Sequence, residues 1–176
     1  MILIDLFDKE VLKELEQEII NAELPMSFTN ASKTTLDSNL SEITESFIIN
    51  HDNLKKSKQY EKIANSFYKY YVNRNKKWHE ENTKILLYPT GFDGIIHKDA
   101  NMDILTTITF INSDWNTSWG GEILCYSDDC KIVIGGVMPE FGKTFAFNGK
   151  IPHRAVAPIR LSSLMRIVLV GKELPQ

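Results

Sequence analysis

Three residues in this sequence could together bind a metal ion: His97, Asp99 and the distant His153. Successive side chains of a β-strand point to opposite faces, so an extended segment from His97 to Asp99 would present an imidazole and a carboxylate on one face. His153 lies 153 − 97 = 56 residues further on, which leaves room for several strands, and it could supply a second imidazole. Two histidines and one carboxylate on one side of a metal form the ligand set of non-haem Fe(II) oxygenases.

An ordinary loop explanation stays open for the same residues. His97 and Asp99 could form an ion pair in a loop while His153 lies at the surface, since a His-x-Asp pair often arises by chance. The two other histidines, His51 and His79, lie at the margins of a helical pattern and are predicted to be surface residues. The sequence around the metal candidates therefore has to decide between the two explanations.

The surrounding sequence favours the metal site. Short apolar runs separated by turn residues occur, in order, at residues 86–91, 95–99, 108–112, 119–123, 142–147, 152–158 and 166–170. Over roughly residues 83–172 this ordered set resembles the Fe(II)- and 2-oxoglutarate-dependent dioxygenases, specifically their prolyl 4-hydroxylase-like branch. Within that branch, the sequence most resembles the small single-domain members found in bacteria and phages.

Helical patterns come first in the chain and β patterns follow, which indicates an α+β protein. A chain of 176 residues is expected to form a single domain over residues 1–176. The resemblance makes the fold specific: a double-stranded β-helix, also called a jelly roll or cupin-like fold, with residues 83–172 as its core. Residues 1–82 would be mainly helical and would buttress one sheet, and the metal would lie between the sheets.

Two stretches show helical periodicity. Residues 8–23 are predicted to form a helix that Asp8 caps and Pro25 ends. Residues 53–79 give the strongest helical pattern, because their apolar residues recur at intervals of three and four. Residues 26–50 are ambiguous, apart from a short apolar run near their end that is typical of a strand.

Charge is distributed unevenly along the chain. Residues 1–50 carry 3 basic and 10 acidic side chains, a net charge of −7, whereas residues 51–84 carry 9 and 4, a net charge of +5. The remaining residues carry 8 and 9, which brings the total to −3. The basic segment could be a nucleic-acid face, but no aromatic stacking pattern accompanies it. We favour the solvent side of an amphipathic helix and expect no nucleic-acid partner.

Composition is that of an ordinary globular protein, with 43% hydrophobic and 24% charged residues. No apolar run is long enough for a membrane span, and no secretory signal is recognisable at the start, so we expect a cytoplasmic protein, or one of the host cytoplasm if a phage encodes it. Cys125 and Cys130 fit reduced thiols, with a zinc-binding pair as the weaker alternative.

The resemblance also implies a binding site for 2-oxoglutarate. In the family, a basic residue on the strand after the second metal-binding histidine anchors the far carboxylate of this cosubstrate, and Arg166, directly before an apolar strand, fits that position. Arg160, which lies in a loop, is the competing candidate. Tyr88 matches a position whose hydroxyl also reaches 2-oxoglutarate, and a core aromatic is the alternative explanation for it.

The sequence departs from the family pattern at two positions. Phe110 stands where many relatives have a tyrosine that contacts 2-oxoglutarate, and Val168 stands where many have a serine. Both changes remove hydrogen bonds to the cosubstrate. Gly120-Gly121 is expected to mark a tight turn or a close backbone approach, and the nearby tryptophans are expected to serve packing.

The implied activity is hydroxylation of an unactivated carbon with Fe(II), 2-oxoglutarate and dioxygen, and ascorbate as an optional reductant. Asp99 favours hydroxylation over halogenation, since halogenating relatives lack a carboxylate there. A peptidyl proline or another amino-acid side chain is the first substrate class, and a free small molecule or a nucleobase is the alternative. A zinc hydrolase, which has no use for Arg166, and a non-enzymatic cupin-like binding module are the rival functions.

Overall fold

The structure is a computed structural model of the chain. It describes residues 1–34, 41–91, 94–160, 162 and 164–174, and only the backbone of residues 29–34 and 41–45. Its helices are α1 (Lys9–Ile20), α2 (His51–Leu54) and α3 (Tyr60–Val72), with short 3-10 helices at Glu80–Asn82 and Thr117–Trp119. Its strands are β1 (Ile2–Asp5), β2 (Ser27–Thr34), β3 (Ser41–Ile49), β4 (Lys84–Tyr88), β5 (Leu105–Phe110), β6 (Ile123–Tyr126), β7 (Val133–Val137), β8 (Lys143–Asn148), β9 (His153–Ala155) and β10 (Arg166–Lys172).

The described strands form two antiparallel sheets. The major sheet has the order β1-β8-β5-β10-β4-β3-β2, and the minor sheet has the order β7-β6-β9. Apolar residues of both sheets, including Phe110 and Val168 from the major sheet and Ile123 from the minor one, pack into one buried cluster. Two antiparallel sheets sharing a core, with few helices, confirm the predicted α+β jelly roll.

Strand β10 lies in the middle of the major sheet and separates two cores. Ile167 and Leu169 are buried in the cluster that also contains the apolar residues of α1 and α3. Val168 and Val170 are buried in the cluster between the sheets. This alternation places residues 166, 168 and 170 on one face of the strand.

Helix α1 forms much as its sequence predicts. The side chain of Asp8 accepts a hydrogen bond from the backbone N–H of Glu10 at 2.9 Å and caps the helix. Leu12, Leu15 and Ile19 are buried against the major sheet. The helix ends at Ile20, three residues earlier than predicted.

The helix predicted over residues 53–79 is wrong in its extent. Asn50 caps the one-turn helix α2, and α3 begins separately at Tyr60. After Val72 the chain turns, and Asn75 takes a left-handed conformation with φ 54°. Asparagine tolerates that conformation better than most residues, and the polar residues 73–77 carry no apolar pattern that would extend the helix.

The segment expected to be mainly helical also supplies strands. β1 pairs with β8 at one edge of the major sheet, and β2 and β3 form a hairpin that joins the other edge through β4. The ambiguity at residues 26–50 therefore resolves into two strands, except for residues 35–40, which lie outside the described residues.

The prediction of a surface position for His51 is wrong. Its side chain is buried, and its Nε2 atom lies 2.8 Å from the hydroxyl oxygen of Tyr60. The same hydroxyl donates a short hydrogen bond to Glu80. This chain of contacts ties α2 to α3 and to the 3-10 helix before β4, so the histidine has a structural role. His79 is half-buried.

The uneven charge has a structural explanation. Lys58, just before α3, pairs with Glu23, just after α1, at 2.9 Å, and Lys62 of α3 lies 4.0 Å from Glu14 of α1. Both lysine side chains are largely exposed. The basic segment therefore lies beside the acidic one at the surface, as expected for the solvent side of an amphipathic helix. Among the described residues, no helix has both the length and the hydropathy that crossing a membrane requires.

Gly171 of β10 is expected to be required for the packing of α3. A Cβ atom added there would lie 2.5 Å from Cε1 of Phe67, which is fully buried. We predict that Gly171→Ala lowers the free energy of unfolding by about 1–3 kcal/mol, because the helix or the strand must shift. Urea denaturation measures the change.

Gly135→Ala is the matched control, since its added Cβ would meet only the flexible end of Met1. Equal stability of the Gly171 and Gly135 variants would contradict the proposed close packing.

Candidate metal centre and adjoining cavity

The backbone places His97 and His153 side by side. The N–H of each residue donates to the carbonyl of the other at 2.9 Å, in an isolated bridge outside the regular strands. His153 begins β9 of the minor sheet, whereas His97 lies in the segment that leads from β4 to β5. The ring centroids are 4.4 Å apart. The two imidazoles, 56 positions apart in sequence, are thus held together by main-chain bonds.

Both imidazoles are oriented by the carbonyl two residues earlier. The Nδ1 atom of His97 lies 2.9 Å from the Ile95 oxygen, and that of His153 lies 2.8 Å from the Ile151 oxygen. A carbonyl can only accept, so Nδ1 carries the proton in both rings and Nε2 carries the lone pair. This is the arrangement found in metal-binding histidines, whose second nitrogen usually donates to a carbonyl or carboxylate.

Asp99 lies between the two Nε2 atoms. Its Oδ1 is 3.8 Å from Nε2 of His97 and its Oδ2 is 3.8 Å from Nε2 of His153. Thr106 donates to Oδ2 at 2.8 Å, and the Lys172 ammonium donates to Oδ1 at 2.5 Å. Burial alone would raise the pKa of Asp99, but the Lys172 ammonium, together with the two imidazoles whenever they are protonated, outweighs burial and holds the pKa below the usual range of a carboxyl. The carboxylate is therefore ionised at neutral pH.

The three predicted ligands come together in the structure. One nitrogen or oxygen atom from each of His97, Asp99 and His153 lies within 4.8 Å of the others, and no other such group of three is found among the described residues. Imidazole nitrogens with a carboxylate oxygen suit Fe(II) as well as Zn(II). Cys125 is buried in the core, and Cys130 lies in a turn.

A cavity that opens to solvent adjoins this cluster between the two sheets. Its walls come from β4, β5 and β10 of the major sheet and from β6 and β9 of the minor sheet, together with His97 and Asp99. The lining residues combine apolar and charged groups: Lys84, Leu86, Tyr88, His97, Asp99, Thr106, Ile108, Ile123, His153, Ala155, Arg166, Val168, Val170 and Lys172.

Arg166 lies at the first position of β10 and is 1% exposed. Its Nη1 donates to the Gly121 carbonyl at 2.7 Å and lies 3.4 Å from the Val156 carbonyl. Gly121 has φ 80°, and a Cβ there would lie 3.1 Å from Cδ of Arg166. The expected close backbone approach at Gly120-Gly121 is thus confirmed, and the Trp115 ring and the Arg166 side chain are the groups that approach Gly121.

Tyr88 contacts Arg166 through its ring, because the guanidinium carbon lies 4.3 Å from the ring centroid. The two residues are also register partners across β4 and β10. Arg160, in contrast, is exposed and does not line the cavity. Phe110 is 1% exposed and packs in the cluster between the sheets, outside the residues that line the cavity.

Sequence reasoning missed two lysines in the cavity wall. Lys84 and Lys172 stand at the end where Asp99 lies, whereas Arg166 and Tyr88 stand at the other end. Strand alternation could have found them, since 84 and 88 share one face of β4, and 166 and 172 share one face of β10. Burial and the neighbouring Lys172 charge lower the pKa of Lys84.

The tryptophans are outside the cavity. Trp115 and Trp119 pack edge to face, with ring centroids 5.5 Å apart, and Nε1 of Trp115 donates to the Gly120 carbonyl at 3.2 Å. They support the glycine turn behind Arg166, in agreement with the packing role that was predicted for them.

Solved structures resemble this fold closely over nearly the whole chain. A prolyl hydroxylase from Trichoplax adhaerens, in complex with a peptide fragment of the hypoxia inducible factor oxygen degradation domain, matches with a TM-score of 0.70 and 17% identity, over 98% of this chain and 82% of that one. A prolyl-4-hydroxylase from Pseudomonas putida matches with a TM-score of 0.62 and 17% identity, over 99% and 92%. This chain has the fold of prolyl hydroxylases.

A similar fold also occurs in neighbours of lower sequence identity. HygX from Streptomyces hygroscopicus, solved with nickel and 2-oxoglutarate bound, matches with a TM-score of 0.67 and 9% identity, over 99% of this chain and 82% of that one. Neither a scan against protein-family models nor a search of curated protein sequences found a match. At these identities the likeness establishes the fold, and the chemistry has to be argued from the residues.

The two cysteines are expected to differ in reactivity. Cys125 is fully buried, and burial raises the pKa of its thiol to about 11, so little of it is the reactive thiolate at neutral pH. Cys130 is partly exposed. We predict that iodoacetamide at pH 7.5 modifies Cys130 at least about tenfold faster than Cys125, as measured by peptide mass spectrometry.

Unfolding in urea provides the control, because it should bring the two rates close together. Comparable rates in the folded protein would show that β6 opens more readily than its burial indicates.

Proposed function

We propose that this protein is an Fe(II)- and 2-oxoglutarate-dependent dioxygenase that hydroxylates an unactivated carbon. The observation that carries the proposal is the pairing of two features in one cavity. His97, Asp99 and His153 converge at one place, and the buried Arg166 guanidinium stands further along the same wall. A hydrolase using the three ligands alone would have no use for the arginine.

The residues present fit Fe(II). Two Nε2 lone pairs and an ionised carboxylate face one point, and both imidazoles are fixed by carbonyl acceptors. When bound, the iron together with 2-oxoglutarate and dioxygen would supply the oxidation of a carbon–hydrogen bond, with succinate and carbon dioxide as coproducts; ascorbate is an optional reductant. The protein's own contribution is position and the exclusion of water.

Arg166 is suited to anchor the far carboxylate of 2-oxoglutarate. The planar donor groups of a guanidinium match a carboxylate in a bidentate manner. Gly121 and the Tyr88 ring fix its orientation. In our proposal the Tyr88 hydroxyl adds a hydrogen bond to the same carboxylate, and Arg160 has no part in it.

A peptidyl proline or another amino-acid side chain is the first substrate class to test, since one neighbour of the same fold was solved with a peptide fragment. A free small molecule or a nucleobase is the alternative. We propose residues 1–176 as a single catalytic domain with no nucleic-acid or membrane partner. The cytoplasm is the proposed location, because both cysteines are free thiols.

The metal site is tested with His153→Ala. The wild-type protein, loaded with Fe(II) and supplied with 2-oxoglutarate and air, should form succinate, and a screen of peptides and small molecules should reveal one that accelerates it. His153→Ala should lower metal affinity by at least about tenfold and abolish the accelerated turnover, because one of three ligands is lost. Anaerobic metal titration and mass spectrometry of products measure the two effects.

His79→Ala is the matched control, since this half-buried histidine lies outside the cavity. Turnover of His153→Ala at the wild-type rate would disprove the metal centre. Metal-dependent hydrolysis without any use of 2-oxoglutarate would favour the zinc hydrolase instead.

Arg166→Ala should weaken 2-oxoglutarate binding by at least about tenfold, because a charged hydrogen-bonded pair typically contributes about 1.5–3 kcal/mol. Arg160→Ala is the matched control and should leave binding near the wild-type value. Calorimetry under anaerobic conditions, with Zn(II) in place of iron, measures both. The reverse ranking would transfer the anchor to Arg160.

Replacing Tyr88 separates its ring from its hydroxyl. Tyr88→Phe keeps the ring beneath Arg166 and should cost about 1 kcal/mol of 2-oxoglutarate binding through the lost hydrogen bond. Tyr88→Leu should cost more, since the contact between the ring and the guanidinium is lost as well. Equal binding by wild type and Tyr88→Phe would mean that the residue acts through its ring alone.

A further inference from the structure

Lys84 and Lys172 form a second positive region in the cavity, apart from Arg166. Lys84 is the first residue of β4 and Lys172 is the last residue of β10, and both side chains line the cavity. Arg166 lies six residues before Lys172 on the same strand. At about 3.3 Å per residue, the two Cα atoms are roughly 20 Å apart. The backbone positions of the lysines and of Arg166 therefore lie at different ends of the strand, with the lysines at the end nearer Asp99.

The two lysines are close neighbours. Lys84 pairs in register with Val170, so Lys172 is its diagonal neighbour across the two strands. Diagonal residues lie about 7–8 Å apart on one sheet face, within reach of long side chains. Like charges placed this way repel each other unless an anion lies between or beside them.

The described part of the chain neutralises this pair only partly. Lys172 donates to Asp99, and its side chain is 15% exposed. Lys84 is half-buried and makes no hydrogen bond or ion pair with any described residue. A divalent metal on Asp99 would repel the Lys172 ammonium, so the metal-loaded protein needs a further anion near both lysines.

A charge count points the same way. At the end of the cavity where Asp99 lies, the described lining residues include two cationic side chains, Lys84 and Lys172, and one carboxylate, Asp99, which gives 2 − 1 = +1. A divalent metal and a 2-oxoglutarate dianion cancel each other, so the excess persists in the loaded cavity. Uncompensated charge on side chains that are partly shielded from water is costly.

We propose that Lys84 and Lys172 bind a carboxylate of the molecule that is oxidised. This rests on the proposed function and names its substrate class: an amino acid or another small organic acid whose carboxylate lies near the carbon to be hydroxylated. A carboxylate is the anion that Lys172 already binds in this structure, in Asp99. Within the substrate classes considered above, the assignment favours a free acid over an internal, uncharged peptidyl proline.

Trifluoroacetate is a direct probe of this subsite, followed by ¹⁹F NMR. The protein is loaded with Zn(II) and saturated with 2-oxoglutarate, so that Arg166 is occupied. Wild type should bind trifluoroacetate saturably, and Lys84→Met should weaken that binding by at least about tenfold. Lys84→Met is the cleaner variant, because Lys84, unlike Lys172, makes no hydrogen bond or ion pair with Asp99, and Lys84→Arg should restore most of the binding.

Lys131→Met is the matched control, since it removes one lysine charge outside the cavity from a side chain that is 80% exposed. Binding that survives both Lys84→Met and Lys172→Met would come from the metal or another site and would overturn the proposal. The absence of saturable binding to the wild type would overturn it as well.

A second experiment measures turnover to distinguish a free acid from an acidic peptide side chain as the source of the carboxylate. Free L-amino acids, their amides and short peptides with an acidic side chain are compared for acceleration of succinate formation. Preference for the free acids, lost in Lys84→Met, supports the small-molecule substrate. Preference for the acidic peptides would replace it with a peptide side chain, and preference for amides or neutral peptides would overturn the subsite.

Failure of the subsite is distinguishable from failure of the proposed function. If 2-oxoglutarate does not bind the Zn(II) protein, the oxygenase proposal fails. Trifluoroacetate binding is then measured on the Zn(II) protein without 2-oxoglutarate, and its dependence on Lys84 still tests the subsite. If 2-oxoglutarate binds through Arg166 but trifluoroacetate binds Lys84→Met and wild type equally, only the subsite fails.

Discussion

The reciprocal hydrogen bonds between the main chains of His97 and His153 are the constraint on which the site depends. They join the segment before β5 to the minor sheet, and they set two imidazoles next to each other without using either ring. The rings then need only a carbonyl acceptor each, which residues 95 and 151 provide. Because main-chain bonds fix the geometry, the two side chains do not have to hold the segments together, and the precision of the site comes from the pairing of two distant segments.

Strand β10 connects this site to the rest of the molecule. One face of it closes the core beneath the helices, and the other face lines the cavity from Arg166 to Lys172. Since side chains alternate along a strand, a shift of register by one residue would bury charges under the helices and turn core residues into the cavity. The close approach of Gly171 to Phe67 therefore does more than fill space, because it opposes such a shift.

The sequence allowed much of this arrangement to be predicted, for identifiable reasons. The spacing of two residues was enough to predict that the side chains of His97 and Asp99 lie on one side. The segment itself forms a single β-bridge and not the strand that was assumed. The order of short β patterns indicated the jelly roll. Three features escaped prediction because they depend on distant partners: the burial of His51 needs Tyr60, the edge strand β1 needs β8, and the role of Lys84 needs the register with β10. From the charge pattern alone, Lys84 was interpreted as part of the solvent-exposed basic segment at residues 51–84.

The ion pair between Lys172 and Asp99 has a consequence for how the protein matures. A carboxylate buried to this degree is costly without a counter-charge, and here the chain supplies that charge itself. Small zinc domains fold only as they take up their metal, because nothing else satisfies their ligands. This chain carries an internal substitute for the cation, so folding and metal loading can be separate events. Newly made protein can therefore complete its fold first and take up the proposed metal afterwards.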